Sequence, residues 1–352
     1  MAISPLSLAT QSLPSIGGFG MKFDKHVRQE EGGEETLDDK LSFSGLVSLL
    51  PKERGWLSEH IHQYQGFWYS TGVLKGLLIL QQHFQAQPSD ILLASFPKSG
   101  TTWLKALIFT LTNPTCLDHP ENPLLSANPH ELVPMLEGYA AQHPDDPRPK
   151  LSSSSSLMHT HIPYVSLPES VKESGCRIVY VFRDPKDVLV SCWHFVNRLR
   201  PETVAPISLA DAFQQFCRGA SPYGSFWDHV LGYWKASIEW PKRVLFLRYE
   251  DLKKEPCVHT KRLAEFIGHP KTEESGGDEE ERVRRVVEFC SFEKLSNLEV
   301  NKMGSHSGFG FPVIDNNIFF RKGTVGDSHN HLTKQMCDEL DEITKDKFKD
   351  FV

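Results

Sequence analysis

The segment Ser95-Phe96-Pro97-Lys98-Ser99-Gly100-Thr101-Thr102-Trp103 constrains the fold of this chain more than any other. Before it, Ile91-Leu92-Leu93-Ala94 reads as a buried strand. After it, Trp103, Leu104, Leu107, Ile108 and Leu111 predict the apolar side of a helix. A helix N-terminus offers unpaired N–H groups and the positive end of a dipole. Lys98 adds a full charge, Gly100 allows close backbone approach, and Thr101 and Thr102 add hydroxyl donors, which together make a phosphate cradle. The residue order differs from the NTPase loop GxxxxGK[ST], where the lysine follows the glycine and a hydroxyl holds Mg²⁺. Here Lys98 precedes Gly100, so the cradle fits a nucleotide phosphate bound without that metal arrangement.

Two more apolar runs are punctuated in the same way. Arg177 to Phe182 precedes Asp184-Pro185 and a predicted helix over 186–200, and Val244 to Leu247 precedes Arg248-Tyr249-Glu250-Asp251. Short strands alternating with helices predict an α/β fold: a single domain with a central parallel β-sheet flanked by helices. The domain is expected over 41–352, after a disordered N-terminal tail over 1–40 that has no apolar period. The first twenty residues are Ser-rich but lack the arginines of a transit peptide. Residues 142–156 and 271–281 read as exposed insertions.

Charge and cysteine content narrow the function classes. Lys and Arg number 38 against 45 Asp and Glu, a formal charge of −7, which argues against a general nucleic-acid binder but leaves room for one basic pocket. The 7 cysteines are odd in number and form no CxxC pair, so a disulfide framework or zinc cluster is not expected and a reducing compartment is. The most apolar stretch, residues 72–84, is broken by Lys75, Gln81, Gln82 and His83, so no bilayer span is expected.

Further polar residues are candidates for chemistry. His159 and His161 flank Thr160 and would share one face of a strand; no third metal ligand is apparent beside them. Pro163 follows Ile162 and restricts the local backbone after His161. An unperturbed imidazole titrates near ~6.5 and suits a base at neutral pH. Arg183 and Ser191 cannot lie on one face of a continuous helix, so Arg183 is expected at the strand end. There it could meet Ser191 at a shared phosphate or pair with Asp187. Arg321-Lys322-Gly323 joins a forked donor to a point charge beside a flexible backbone, which suits a phosphate or a solvated basic turn.

From Leu46 to Val352 the chain resembles the plant cytosolic PAPS-dependent sulfotransferases. The resemblance rests on Tyr64–Trp68 (YQGFW), Phe96–Trp103 (FPKSGTTW), Thr160–Tyr164 (THIPY), Arg183–Ser191 (RDPKDVLVS), Arg248–Leu252 (RYEDL) and Arg321–Asp327 (RKGTVGD), in that order. It implies that Lys98, Ser99, Gly100, Thr101 and Thr102 hold the 5′-phosphosulfate of PAPS (3′-phosphoadenosine 5′-phosphosulfate) in a P-loop-like turn. It implies that Trp103 stacks on adenine, that Tyr249 contacts the cofactor, and that Ser291 and Phe292 lie against the adenine. Arg183 and Ser191, then Arg321, Lys322 and Gly323, are implied as 3′-phosphate ligands, and His161 as the catalytic base, with Lys98 stabilising the leaving phosphate. The implied partner is a small hydroxyl acceptor such as a flavonoid, brassinosteroid or hydroxyjasmonate, with no metal, nucleic acid or membrane, in the cytoplasm. Phe67, Trp68, Tyr139, Tyr164 and Phe195 are the expected acceptor wall. Ser328 stands where the family usually carries Trp, and His329 where animal relatives often carry Lys, so a looser clamp and weaker PAPS binding are expected. The animal-type dimer segment is not visible, which leaves the oligomeric state open. A catalytically weak PAPS or PAP binder and a nucleotide kinase of related fold are the alternatives.

Overall fold

Ile91–Ser95, the strand before the cradle, is buried at all five positions. That pattern belongs to a parallel sheet covered on both faces. In the computed structural model, which describes residues 42–150, 156–200, 205–268, 279–308 and 311–351, the chain divides into two units, Met1–Leu49 and Leu50–Val352. In the first, Phe43–Leu49 is a short helix. The expected tail over 1–40, the serine run up to Ser155 and residues 271–278 lie outside the described residues.

The second unit begins with an antiparallel meander of β1 (Lys52–Arg54), β2 (His60–Tyr64) and β3 (Phe67–Tyr69), followed by helix α1 (Thr71–His83). The central sheet contains β4 (Ile91–Ser95), β5 (Leu157–Thr160), β6 (Arg177–Phe182) and β7 (Val244–Arg248). Their order is β5-β4-β6-β7, and every pairing is parallel. Strand β4 is first in sequence yet lies between β5 and β6, so the winding reverses direction at its end. Ligands of open α/β sheets bind at such a switch point, outside the carboxyl ends of the strands. A hairpin of β8 (Ser305–Gly308) and β9 (Phe311–Asp315) follows near the C-terminus.

Helix α2 (Thr101–Thr112) follows β4 at once, with Gly100 as its N-cap in the left-handed region. It is buried nearly all round, including Lys105, Ala106 and Thr110, rather than along one stripe. The sequence expectation of a single apolar side was too narrow. The sheet packs against one side of α2, and helices Pro256–Phe266 and Glu279–Phe289 pack against it elsewhere. The shared core joins Leu93, Leu104, Leu107, Val179, Val181, Leu245 and Leu247. After β6, Asp184 caps helix α3 (Pro185–Leu199) by accepting the N–H of Lys186, with Pro185 in the first turn. Glu279–Glu281, expected in an exposed insertion, are exposed and open helix Glu279–Phe289. Among the described residues no helix is long and apolar enough to cross a membrane.

Candidate active site

Four parallel strands that end at one edge bring four loops together. Lys98 follows β4, His161 follows β5, Arg183 follows β6 and Tyr249 follows β7. All four line one cavity of about 500 Å³. Gly100, Thr101, Thr102, Trp103, Ser191, Phe292, Arg321, Lys322 and Gly323 line it as well. Ser99 does not; it is fully buried, and its Oγ has no hydrogen-bond partner. Ser291 lines a smaller neighbouring cavity with Trp103, Tyr249, Phe292 and Phe320, and its hydroxyl caps helix Phe292–Asn297.

The cradle is tightly constrained. Lys98 has φ +67, a left-handed conformation that costs a non-glycine residue about 1–2 kcal/mol. Gly100 has φ +112, and a Cβ there would stand 2.7 Å from the Tyr249 ring. The Ser95 and Thr101 hydroxyls meet at 2.7 Å and tie the strand end to the helix start. Lys98 Nζ lies 4.1 Å from the Phe195 ring centroid and has no anionic partner among the described residues. Burial pulls the Lys98 ammonium down to about 8; Cys192 opposes this, and Arg321 and Arg183 add to it. A desolvated, unpaired cation beside helix N–H groups is suited to an anion.

His161 is fixed through ring and backbone. Its Nδ1 lies 2.7 Å from Ser95 O. A carbonyl only accepts, so Nδ1 carries the proton and Nε2 keeps its lone pair. Its backbone N–H donates to Glu137 at 2.9 Å, and its carbonyl accepts from His229 Nε2 at 2.9 Å. Tyr180 OH in turn donates to His229 Nδ1 at 2.8 Å. His159 shares the face expected for it, with its Nε2 3.5 Å from His161 Nε2. Burial drives the His161 pKa down to about 3, although the Ser95 carbonyl works in the other direction. The ordinary imidazole value expected from sequence therefore does not apply to this chain without an anion in the cavity.

The second cluster is built on Asp187. Arg183 precedes the helix, as its spacing from Ser191 required, and makes the ion pair with Asp187 at 3.0 Å that was the alternative reading. It also donates to Thr324 O at 2.7 Å and lies 4.7 Å from the Tyr249 ring centroid. Asp187 accepts the N–H groups of Gly326 and Ser328. Arg321 and Lys322 both pair with buried Asp327. Gly323 has φ +63, and a Cβ there would stand 2.4 Å from Phe292.

The residues fit a PAPS-like molecule on observations internal to the chain. Ser99 Oγ, Arg183 Nε, Arg321 Nε and Trp103 Nε1 are buried polar atoms without partners. At Gly100 and Gly323 an added Cβ would press on Tyr249 and Phe292, two rings of the cavity wall. Two clusters of cations suit an anion with two phosphate-like groups.

The apolar wall is not the one expected. Of Phe67, Trp68, Tyr139, Tyr164 and Phe195, only Phe195 lines the cavity. Phe67 packs on His229, Tyr139 stacks on His143 and Tyr164 packs on Tyr233. Trp56, Tyr69, Phe96, Met135, Phe216 and Tyr223 take the wall positions. Which aromatic faces the cavity is set by packing between separate elements, which composition does not encode. Glu137, His229 and His130 were also missed; each works by contacts far along the chain, and no local pattern marks them. Asp187 was foreseen as a partner of Arg183, but not as the acceptor of the Gly326 and Ser328 N–H groups.

Comparisons with known proteins show what the whole chain is similar to. A family model described as a sulfotransferase domain matches residues 88–352. The chain is 47% identical over 320 residues to cytosolic sulfotransferase 12 of Arabidopsis thaliana, covering 90% of this chain and 94% of that protein. It is 42% identical over 308 residues to flavonol 3-sulfotransferase of Flaveria bidentis, covering 86% and 96%. A crystal structure of a mouse sulfotransferase complexed with PAP superposes with TM-score 0.63 at 28% identity, over 83% of this chain and 95% of that one.

Proposed function

The chain belongs to the sulfotransferase family, and on that premise we propose that it transfers the sulfuryl group of PAPS to a hydroxyl of a small, largely apolar acceptor. Bound PAPS supplies an activated sulfuryl group with a phosphate as leaving group. The single observation that carries the reading is the convergence of Lys98, His161 and Arg183 at three parallel strand ends around one cavity.

Lys98, the loop N–H groups from Gly100 to Thr102 and the hydroxyls of Thr101 and Thr102 would hold the 5′-phosphosulfate, while the Ser99 N–H bonds Phe96 O within the turn. Arg183, Ser191, Arg321, Lys322 and Gly323 would hold the 3′-phosphate. Trp103, Tyr249, Ser291 and Phe292 surround the space for the adenine. His161 Nε2 carries the lone pair and accepts the proton of the acceptor hydroxyl. Negative charge placed in the cavity stabilises the imidazolium and raises the basicity that burial suppressed. Lys98 and the helix N–H groups stabilise charge that grows on the leaving oxygen, so they favour the transition state over the ground state.

The wall of Trp56, Tyr69, Phe96, Phe216 and Tyr223 supports a flat or ring-shaped acceptor of flavonoid or steroid type, held by apolar contact. A hydroxyjasmonate would leave more of it uncovered. A cytoplasmic location follows by analogy with relatives named as cytosolic.

The test has two arms. Thermal unfolding with PAP at about 100 times its Kd should show stabilisation of roughly 2.7 kcal/mol. Transfer of labelled sulfate from PAPS should then be followed across flavonols, steroids and simple phenols. PAP binding without turnover on any acceptor would leave a cofactor-binding protein; no PAP binding would overturn the reading.

A further inference from the structure

We propose that His130 and Lys105 are positioning residues that set the direction of the Thr102 hydroxyl, aiming its proton into the cavity at the transferring group. The proposal rests on the reading that the Lys98–Thr102 loop holds the phosphosulfate.

Neither residue belongs to the cradle segment. His130 sits in the short helix Pro129–Leu132, which Asn128 and Glu131 close with reciprocal capping bonds. The imidazole stacks on Phe319 at 3.9 Å between ring centroids and faces α2. Its Nε2 lies 2.9 Å from Thr102 Oγ1 and its Nδ1 lies 3.0 Å from Lys105 Nζ. Thr102 and Lys105 are three residues apart on α2 and so share a side of the helix. Lys105 is fully buried and also donates to Val133 O at 2.8 Å.

Burial works against the Lys105 ammonium and nearby Glu137 supports it; as the ammonium Lys105 has donors only, and that sets every direction. Val133 O only accepts, so the Lys105 ammonium donates there and has a further N–H for His130 Nδ1. Burial, then the neighbouring Lys105 charge, holds His130 neutral. A neutral imidazole that accepts at Nδ1 carries its proton on Nε2, which therefore donates to Thr102 Oγ1. The threonine oxygen is then an acceptor inside the protein, and its own proton has no second partner among the described residues. Thr102 lines the cavity at the second position of α2. Its hydroxyl is left as a donor to an oxygen bound at the helix N-terminus. Hydrogen bonds in series polarise one another in a low-dielectric interior, so the chain from Lys105 through His130 strengthens that donor. The demand on it is greatest when charge develops on the leaving phosphate. No proton needs to change owner.

The test compares His130→Gln, His130→Asn and His130→Phe with Thr102→Val and Thr102→Ser, alone and combined. A glutamine amide can donate to Thr102 Oγ1, whereas asparagine is too short to reach it. We expect kcat at saturating PAPS to fall by about tenfold or more in H130F and H130N, with acceptor KM within about twofold and partial recovery in H130Q. In the T102V background, H130F should cause no further loss, whereas in the T102S background it should cost as much as it does in the wild type. Melting curves identify any variant that fails to fold, and the H130N and H130Q pair keeps the comparison if H130F is lost. Additive effects, in which H130F costs as much in the T102V background as in the wild type, would overturn the inference, as would H130Q no better than H130N. A wild-type protein without turnover or PAP binding would instead overturn the reading beneath it.

Discussion

Asp187 Oδ1 accepts the backbone N–H of Ser328 at 2.9 Å, joining residues 141 positions apart. Asp187 Oδ2 accepts the N–H of Gly326 at 2.8 Å and pairs with Arg183, which itself reaches Thr324 O. The loop after Arg321-Lys322-Gly323 is therefore hung from α3 by backbone contacts. The side chain at 328 takes no part in them, so these anchors do not depend on which residue stands there. Ser328→Ala should leave PAP affinity within about twofold. Asp187→Ala should weaken it at least about tenfold and destabilise the fold by about 3–5 kcal/mol, because it strands a buried charge. Isothermal titration and melting curves check both. Burial alone would raise the Asp187 carboxyl, but the Ser328 N–H, the Arg183 guanidinium and the Gly326 N–H bring it below its ordinary value. A depressed folded-state pKa gives stability that is present above the unfolded value near ~3.9 and is lost as pH falls through the folded one, so the loop should detach only in acid.

PAP affinity should depend on pH through Lys98. Its ammonium is drawn down to about 8 by burial in the free chain. An anion binds the charged form, so affinity should be steady below pH 8 and fall by up to about tenfold per unit above it. Lys98→Arg keeps its charge throughout and should flatten this profile, even if it binds more weakly. Titrations between pH 6.5 and 9.5 decide; a wild-type profile flat to pH 9.5 would contradict the assignment.

His161 should remain neutral in the free protein far below the ordinary imidazole range, because burial lowers it to about 3. Ring resonances followed by NMR should show no titration near pH 6.5, and PAP should move any titration upward. His161→Ala should lower kcat by about a thousandfold or more while PAP affinity stays near wild type, since the ring is proposed to act on the acceptor and not on the nucleotide.

The two cradle glycines should resist substitution for different reasons. At Gly100 an alanine Cβ would meet the Tyr249 ring at 2.7 Å, and at Gly323 it would meet Phe292 at 2.4 Å. Both positions have positive φ, which adds about 1–2 kcal/mol for any other residue. Gly100→Ala should lose PAP binding with a lowered Tm, because Tyr249 is buried and also packed against Trp103 and Arg183. Gly323→Ala should be milder, because half-buried Phe292 can swing toward the smaller cavity.

The sequence by itself determined the local units. Strand, turn and helix at 91–112 are contiguous, and hydrophobic period, glycine placement and charge are properties of neighbours along a chain. The same holds for Asp184-Pro185 at the start of α3, which put Arg183 at the strand end before any coordinates. The tertiary structure alone decided what holds those units in working order. Glu137 grips the His161 N–H, His229 grips its carbonyl, His130 meets Thr102 and Asp187 meets Ser328 across separations of 24, 68, 28 and 141 residues. Such contacts depend on which strand lies beside which, and here β4 sits between β5 and β6. The same reason explains why Trp56 and Tyr69 face the cavity while Tyr139 and Tyr164 pack elsewhere. An aromatic side chain gains comparable free energy from burial in a core or in a pocket wall, and only the packing of distant elements chooses between the two.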